Sequence, residues 1–160
     1  MTAGGAGEPG PYLAGAVVES PVALLLVDAG GRVNAMTVSF FSEVAHHPTS
    51  LWVSVAKSAH THDLLEAAGS FSLAMLSRAQ RDLAIACGTV SGRAVDKASR
   101  LAHGRTPGGA FTLPGAVATC GCRVARRIDL GDHTLFVGEI LEGETDSNAG
   151  RTRQLLTVDL

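Results

Sequence analysis

Hydroxyl, amide and ammonium side chains gather in one stretch, residues 31–65, at spacings that suit ligand binding: Asn34, Thr37 and Ser39, then Ser54, Lys57, Ser58 and Thr61. In an extended strand alternate side chains share a face, so Thr37 and Ser39 point one way and Met36 and Val38 the other. Two hydroxyls on one face can hydrogen-bond the carbonyls and imide nitrogen of a flat polar ring. Lys57, Ser58 and Thr61 leave a strand and enter the first turn of a helix, where unpaired backbone N–H groups and the helix dipole favour a phosphate. Taken singly, each group has a plainer explanation: hydroxyls on the wet face of a strand, a solvated lysine, a helix cap. Their adjacency is what points to a ligand with a ring and a phosphate tail.

The elements that must position these groups are mostly strands. VALLLV, a turn at residues 28–31 and RVNAMTVSFF form a hairpin, because Asp and Gly between two apolar runs favour a tight reversal. A third strand covers 51–56 and carries Trp52, the single tryptophan. Thr61 caps a short helix, HDLLEAA, that Gly69 closes, with Asp63 in its first turn. Residues 71–76 return to strand. Ser77 and Gln80 form a capping box for RDLAIAC, which Gly88 ends. The stretch 89–109 is polar and Gly-rich and is expected to be a long loop. Strands follow over 116–125 and 133–141, separated by the charged turn RRIDLGD, and 155–158 supplies a last one. Short antiparallel connections with two brief helices favour a closed or nearly closed barrel over a parallel sheet.

The remaining composition sets limits. A chain of 160 residues makes one domain, with residues 1–11 expected to be a disordered Gly/Pro tail and 12–160 the folded unit. A formal charge of -2 and pI near 6.3 give no basic field for nucleic acid or an anionic membrane. No apolar run approaches the length of a membrane span, and the first basic residue is Arg32, so a cytoplasmic protein without a secretory signal is expected. The three cysteines read as reduced thiols. His46/His47, His60/His62 and Cys120/Cys122 are pairs without further partners at zinc spacing, so no metal site is expected. Gly5, Gly7 and Gly10 spell GxGxxG with no strand before them, and residues 88–92 are not a GxSxG elbow, so neither a dinucleotide fold nor a serine hydrolase is indicated.

Several motifs carry a family resemblance. Asn34, Thr37, Ser39 and Phe41 spell N-x-x-T-x-S-x-F; Pro48 follows; Lys57, Ser58 and Thr61 spell K-S-x-x-T; Asp96 and Lys97 give D-K; and Gly131, Asp132 and His133, followed by Gly138 and Glu139, give G-D-H and G-E. Across residues 16–143 this order resembles the flavin reductase family of FMN-binding split barrels. The resemblance implies a mainly β fold, an antiparallel split β-barrel of Greek-key type with short peripheral helices. It implies a cofactor site made by Asn34, Ala35, Met36, Thr37 and Ser39 at the ring, by Ser54, Val55, Ala56, Lys57, Ser58 and Thr61 around the ribityl phosphate, and by Lys97 from the long loop. His133 is implied as the residue facing the nicotinamide donor. Phe40, Ala45, Thr49 and Ala98 depart from the family's usual residues and remove polar contacts and a ring.

The activity implied is an NAD(P)H-dependent flavin reductase: FMN, or FAD, is the flavin, NADH or NADPH the donor, and a partner monooxygenase the recipient of reduced flavin. Such chemistry asks the protein mainly for placement and for donors at the ring edge. A homodimer is implied as well. Two other readings stay open: an FMN-dependent enzyme acting on an organic substrate in a biosynthetic pathway, and a flavin-binding protein without catalysis.

Overall fold

The run VALLLV is apolar without alternation because both its faces are covered. In the computed structural model, which describes residues 19–148 and 152–160, Ala23, Leu25 and Val27 pack into one core and Val22, Leu24 and Leu26 into a second. Strand β1 (Ala23–Ala29) turns at Gly30 and Gly31, both with positive φ, into β2 (Arg32–Val38). Asp28 accepts the Gly31 N–H at 2.7 Å and fixes this turn.

The remaining elements are β3 (Phe41–His46), β4 (Thr49–Ala56), helix α1 (His60–Ala68), β5 (Ser70–Met75), helix α2 (Arg81–Thr89), the two-residue strands β6 (Gly104–Arg105) and β7 (Phe111–Thr112), β8 (Ala118–Asp129) and β9 (His133–Thr145). Seven strands form one antiparallel sheet in the order β2-β1-β5-β8-β9-β4-β3. Its two edges, β2 and β3, are joined by only Ser39 and Phe40, so the sheet curls until the edges meet at that corner without a ladder between them. This is the split barrel.

The barrel interior holds Leu51, Val53, Val55, Phe71, Leu73 and Phe136, and α1 closes one end with Leu64 and Leu65. On the outer face of β1, β2 and β5, helix α2 contributes Ala84 and Cys87 to the second core, with Phe111, Leu113 and Leu155. The outer face of β4, β9 and β8 has no such cover among the described residues.

The structure differs from the sequence reading in five places. The second strand stops at Val38, and Phe41 opens a separate edge strand whose outward residues are exposed. Helix α1 begins at His60 after Ala59, not at a Thr61 cap, because the Thr61 hydroxyl is drawn into a contact with β2. Gly88 lies inside α2 rather than ending it; a β-carbon there would stand 3.2 Å from Thr37 Cβ, so it allows the helix to approach β2. Strand pairing runs through Arg126, Arg127, Ile128 and Asp129, which makes the charged segment part of β8. Residues 155–158 supply only a bridge from Leu156 to Pro21 and a 3-10 turn. The tail expected at residues 1–11 lies outside the described residues.

Candidate functional site

The candidate residues fall into two neighbouring groups, joined by the turn between β4 and α1. The first lines a cleft of about 250 Å³ between the free edge of β2, the start of α1 and the end of α2, and contains Asn34, Met36, Ser58, Thr61 and Lys97 with Gly88, Thr89 and Gly92. The second lies on the uncovered outer face of the barrel: Ser54 and Ala56 on β4, opposite Leu135 and His133 on β9. Residues directly opposite in an antiparallel pair present their side chains on the same face, so Ala56 and His133 are neighbours there. Ser39 sits in the corner between β2 and β3, beside Phe40.

Asn34 and Thr61 are both buried, and Asn34 Nδ2 donates to Thr61 Oγ1 at 2.8 Å. This bond ties the first turn of α1 to β2 and sets the depth of the cleft. Gly92 is needed beside it, because a β-carbon at that position would overlap the Asn34 amide. Replacing Thr61 by Val keeps the volume and removes the acceptor, which leaves a buried amide unpaired at a cost of about 1–3 kcal/mol. For a chain of this size the expected fall in Tm is about 3–10 °C in a thermal melt; an unchanged Tm would show that the bond does not hold the helix.

The Thr37 hydroxyl donates to the Ala84 carbonyl of α2 at 2.6 Å, so its proton is committed while its oxygen can still accept. Ala35 and Thr37 share a parity in β2. The two-residue hairpin puts the hydrogen-bonded pairs at Arg32, Asn34, Met36 and Val38, which leaves the N–H and C=O of Ala35 and Thr37 on the free edge. Val55 points into the barrel and is fully buried.

Lys57 is exposed; its Nζ contacts Asp129 at 2.9 Å and its N–H donates to the Asp132 carbonyl. The ammonium holds the Asp129 carboxyl below its usual range. Among the described residues no carbonyl or side chain accepts from the N–H groups of Ser58, His60 or Thr61, so three backbone donors and a solvent-exposed ammonium stand at one helix end. Arg93 braces this turn from the long loop, donating to the Ser58 carbonyl at 2.9 Å and pairing with Asp63 at 2.8 Å.

Lys97 is buried, and its Nζ donates to the carbonyls of Cys87 and Val90 at 2.9 and 2.8 Å. It closes the C-terminal end of α2, and burial pushes its pKa down. Its side chain therefore shapes the cleft wall. His133 Nδ1 lies 2.9 Å from the Asp132 carboxylate, a contact that holds Asp132 below the usual carboxylate range, and the imidazole lies 6.2 Å from the Phe40 ring, centroid to centroid.

Sequence reasoning missed Arg93, Gly88 and Gly92. The glycines carried a signal, one at the end of a helical run and one in the polar stretch that follows it, but their role depends on the approach of β2, which is distant in sequence.

These groups fit a flavin. The free edge of β2 and the Ser39 corner can meet a ring's carbonyls and imide, and the turn at residues 57–61 can hold a phosphate; no metal is needed, and among the described residues no cluster of metal-binding side chains occurs. Comparison with known proteins points the same way. The chain is 31% identical over 128 residues to the actinorhodin polyketide dimerase of Streptomyces coelicolor, covering 78% of this chain and 71% of that one. It is 30% identical over 139 residues to the NADH:riboflavin 5'-phosphate oxidoreductase of Streptomyces pristinaespiralis, covering 84% and 76%. The crystal structure of an FMN-binding protein from Thermus thermophilus with bound 1-cyclohex-2-enone superposes with a TM-score of 0.85 at 28% identity, covering 100% of this chain and 94% of that one. Residues 15–158 match the model of the flavin reductase like domain, and the chain belongs to that family.

Proposed function

We propose that this protein is an NAD(P)H-dependent flavin reductase that binds FMN, takes hydride from NADH or NADPH, and supplies reduced flavin to a partner monooxygenase. The observation that carries the reading is the continuity of the two groups: the phosphate-holding turn at residues 57–61 and the His133 face are joined through Ala56 and Lys57. A flavin bound there supplies the hydride acceptor, and the protein supplies placement. Lys57 and the N–H groups of Ser58, His60 and Thr61 hold the phosphate. The edge N–H groups of Ala35 and Thr37, with the Ser39 hydroxyl, meet the ring's polar edge and stabilise charge that grows there on reduction, while the Thr37 hydroxyl oxygen accepts from the ring's imide N–H. His133, held by Asp132 and flanked by Phe40, forms a polar wall that orients the nicotinamide amide. Lys97 and Arg93 keep the cleft in shape. FAD is the alternative flavin.

The protein works as a homodimer in this reading. Trp52, Ile128, Leu135 and Val137 make the uncovered outer face apolar, and Ile128 is 46% exposed. A second copy seated there also brings a wall to the His133 side of the site. A cytoplasmic location belongs to this reading and is supported by the three free thiols, which suit a reducing compartment; among the described residues no helix is long and apolar enough to cross a membrane.

A second reading, an FMN enzyme acting on one organic substrate, draws on the identity to a polyketide dimerase. Anaerobic mixing of the protein with FMN and excess NADH or NADPH separates the two. Catalytic bleaching of the oxidised flavin band, faster than in a protein-free control, is expected and names the donor. Binding of FMN without faster bleaching by either donor would overturn the reductase.

A further inference from the structure

Cys120 and Cys122 lie on β8 with Gly121 between them, and their sulfurs are 4.0 Å apart. The pairing of β8 with β9 slips between Gly121 and Cys122, where Cys120 faces Gly143 and Cys122 faces Ile140. In a regular strand residues two apart are separated by about 6.6 Å, near the upper end of the roughly 4.4–6.8 Å that disulfides span between Cα atoms. The extra residue at this slip, Leu141, belongs to β9, and Cys120 and Cys122 share one face of β8, both packed against the barrel core. Cys120 also lines a cavity of about 470 Å³ at the barrel end opposite α1, walled by Phe41, Leu51, Leu73, Met75 and Ile140 with Glu43 beside them. Cys122 lies behind it, 3% exposed.

We propose that this pair is a redox-active dithiol, closed to an intrastrand disulfide by hydrogen peroxide entering through the cavity. The Cys120 thiolate attacks one peroxide oxygen; the O–O bond breaks, leaving a sulfenic acid on Cys120 and hydroxide. The Cys122 sulfur then attacks the sulfenic sulfur; the S–S bond forms, the S–O bond breaks, and the departing hydroxyl leaves as water with the Cys122 proton. In sum, two thiols and one peroxide give one disulfide and two waters, and the thiols supply both electrons. The division of labour follows from access, because Cys120 lines the cavity and Cys122 is buried behind it. The contact between the two sulfurs holds the Cys120 thiol below its ordinary range, while the same contact and burial push Cys122 up. Reduced flavin released into oxygenated solution generates peroxide, so the reductase reading supplies a source of oxidant; the dithiol chemistry does not depend on it.

The test treats the folded, full-length protein with hydrogen peroxide, quenches with iodoacetamide and maps tryptic peptides. Peptide 106–123 carries both cysteines and excludes Cys87, which is buried and reports on folding. The expected result is loss of two hydrogens from that peptide, no alkylation of it, and recovery of both thiols with dithiothreitol. In Cys122→Ala the reaction stops at a sulfenic acid on Cys120 that dimedone labels, and in Cys120→Ala the peptide stays unoxidised. Two alkylated cysteines in peroxide-treated wild type, or disulfides between chains in place of the internal one, would overturn the proposal, whatever the outcome of the flavin assay.

Discussion

Leu135→Asp is expected to convert the protein from dimer to monomer and to take most of the reductase activity with it. Leu135 lies midway along the uncovered face, between Ser54 of β4 and Ile128 of β8. In the isolated chain it is only partly buried, so an aspartate there leaves the barrel core untouched. In the dimer the same carboxylate would sit in an apolar contact without a partner, a situation that costs about 3–5 kcal/mol. That weakens association by roughly a hundredfold or more, and a two-fold interface carries the substitution twice. Sedimentation or light scattering across a concentration series reads the state directly, and the flavin-bleaching rate reads the consequence. Val158→Asp serves as the control, since Val158 is 66% exposed on the C-terminal 3-10 turn, away from this face. A wild type that is monomeric, or a Leu135→Asp protein as dimeric as wild type, would remove the assembly from the reading.

The legible parts of this molecule were those decided by neighbours in sequence. The Asp28–Gly31 turn, a strand over 51–56, the Gly69 helix stop with φ of 64° and the bond from the Ser77 N–H to Gln80 at 3.1 Å all follow from local rules. What escaped was decided by tertiary contact. Strand β3 has no apolar alternation, because as an edge strand it exposes both its faces over most of its length, and its pairing with β4 alone defines it. Thr61 looks like a helix cap until Asn34, 27 residues earlier, claims its hydroxyl. RRIDL reads as a turn because it is charged, yet β8 and β9 continue as a paired ribbon in which Arg127 meets Glu66 of α1 at 3.0 Å.

The candidate site shows the same division. Five of the motif-implied positions, Asn34, Met36, Ser58, Thr61 and Lys97, line one cleft, but the motifs did not say what each side chain does there. Lys97 illustrates this: the D-K element flagged it as a group that reaches the ligand, and its ammonium is instead fixed on two carbonyls of α2 and its following turn. Its charge is directed into the protein, so Lys57 is left as the lysine of the motif whose ammonium is exposed beside the helix start.

Lys57→Met is therefore expected to weaken FMN binding by roughly tenfold to a hundredfold while leaving riboflavin binding unchanged. Hydrogen bonds to charged groups contribute about 1.5–3 kcal/mol, and each 1.4 kcal/mol is a factor of ten in Kd. In the free protein the ammonium is paired with Asp129, but both side chains are exposed, 39% and 75%, so water screens the pair and the exchange of a carboxylate for a phosphate is easy. Methionine keeps the aliphatic stem and introduces no new charge against Asp129, so the fold is retained. Riboflavin has the same ring and ribityl chain without the phosphate, so it isolates the interaction being tested. Raising the salt concentration should weaken FMN binding to the wild type and have little effect on Lys57→Met, because only the former loses a screened charge pair. Equal losses for FMN and riboflavin would mean that Lys57 supports the ring or the turn rather than the phosphate. No loss for either would move the phosphate away from the start of α1 altogether, and with it the orientation of the flavin relative to His133.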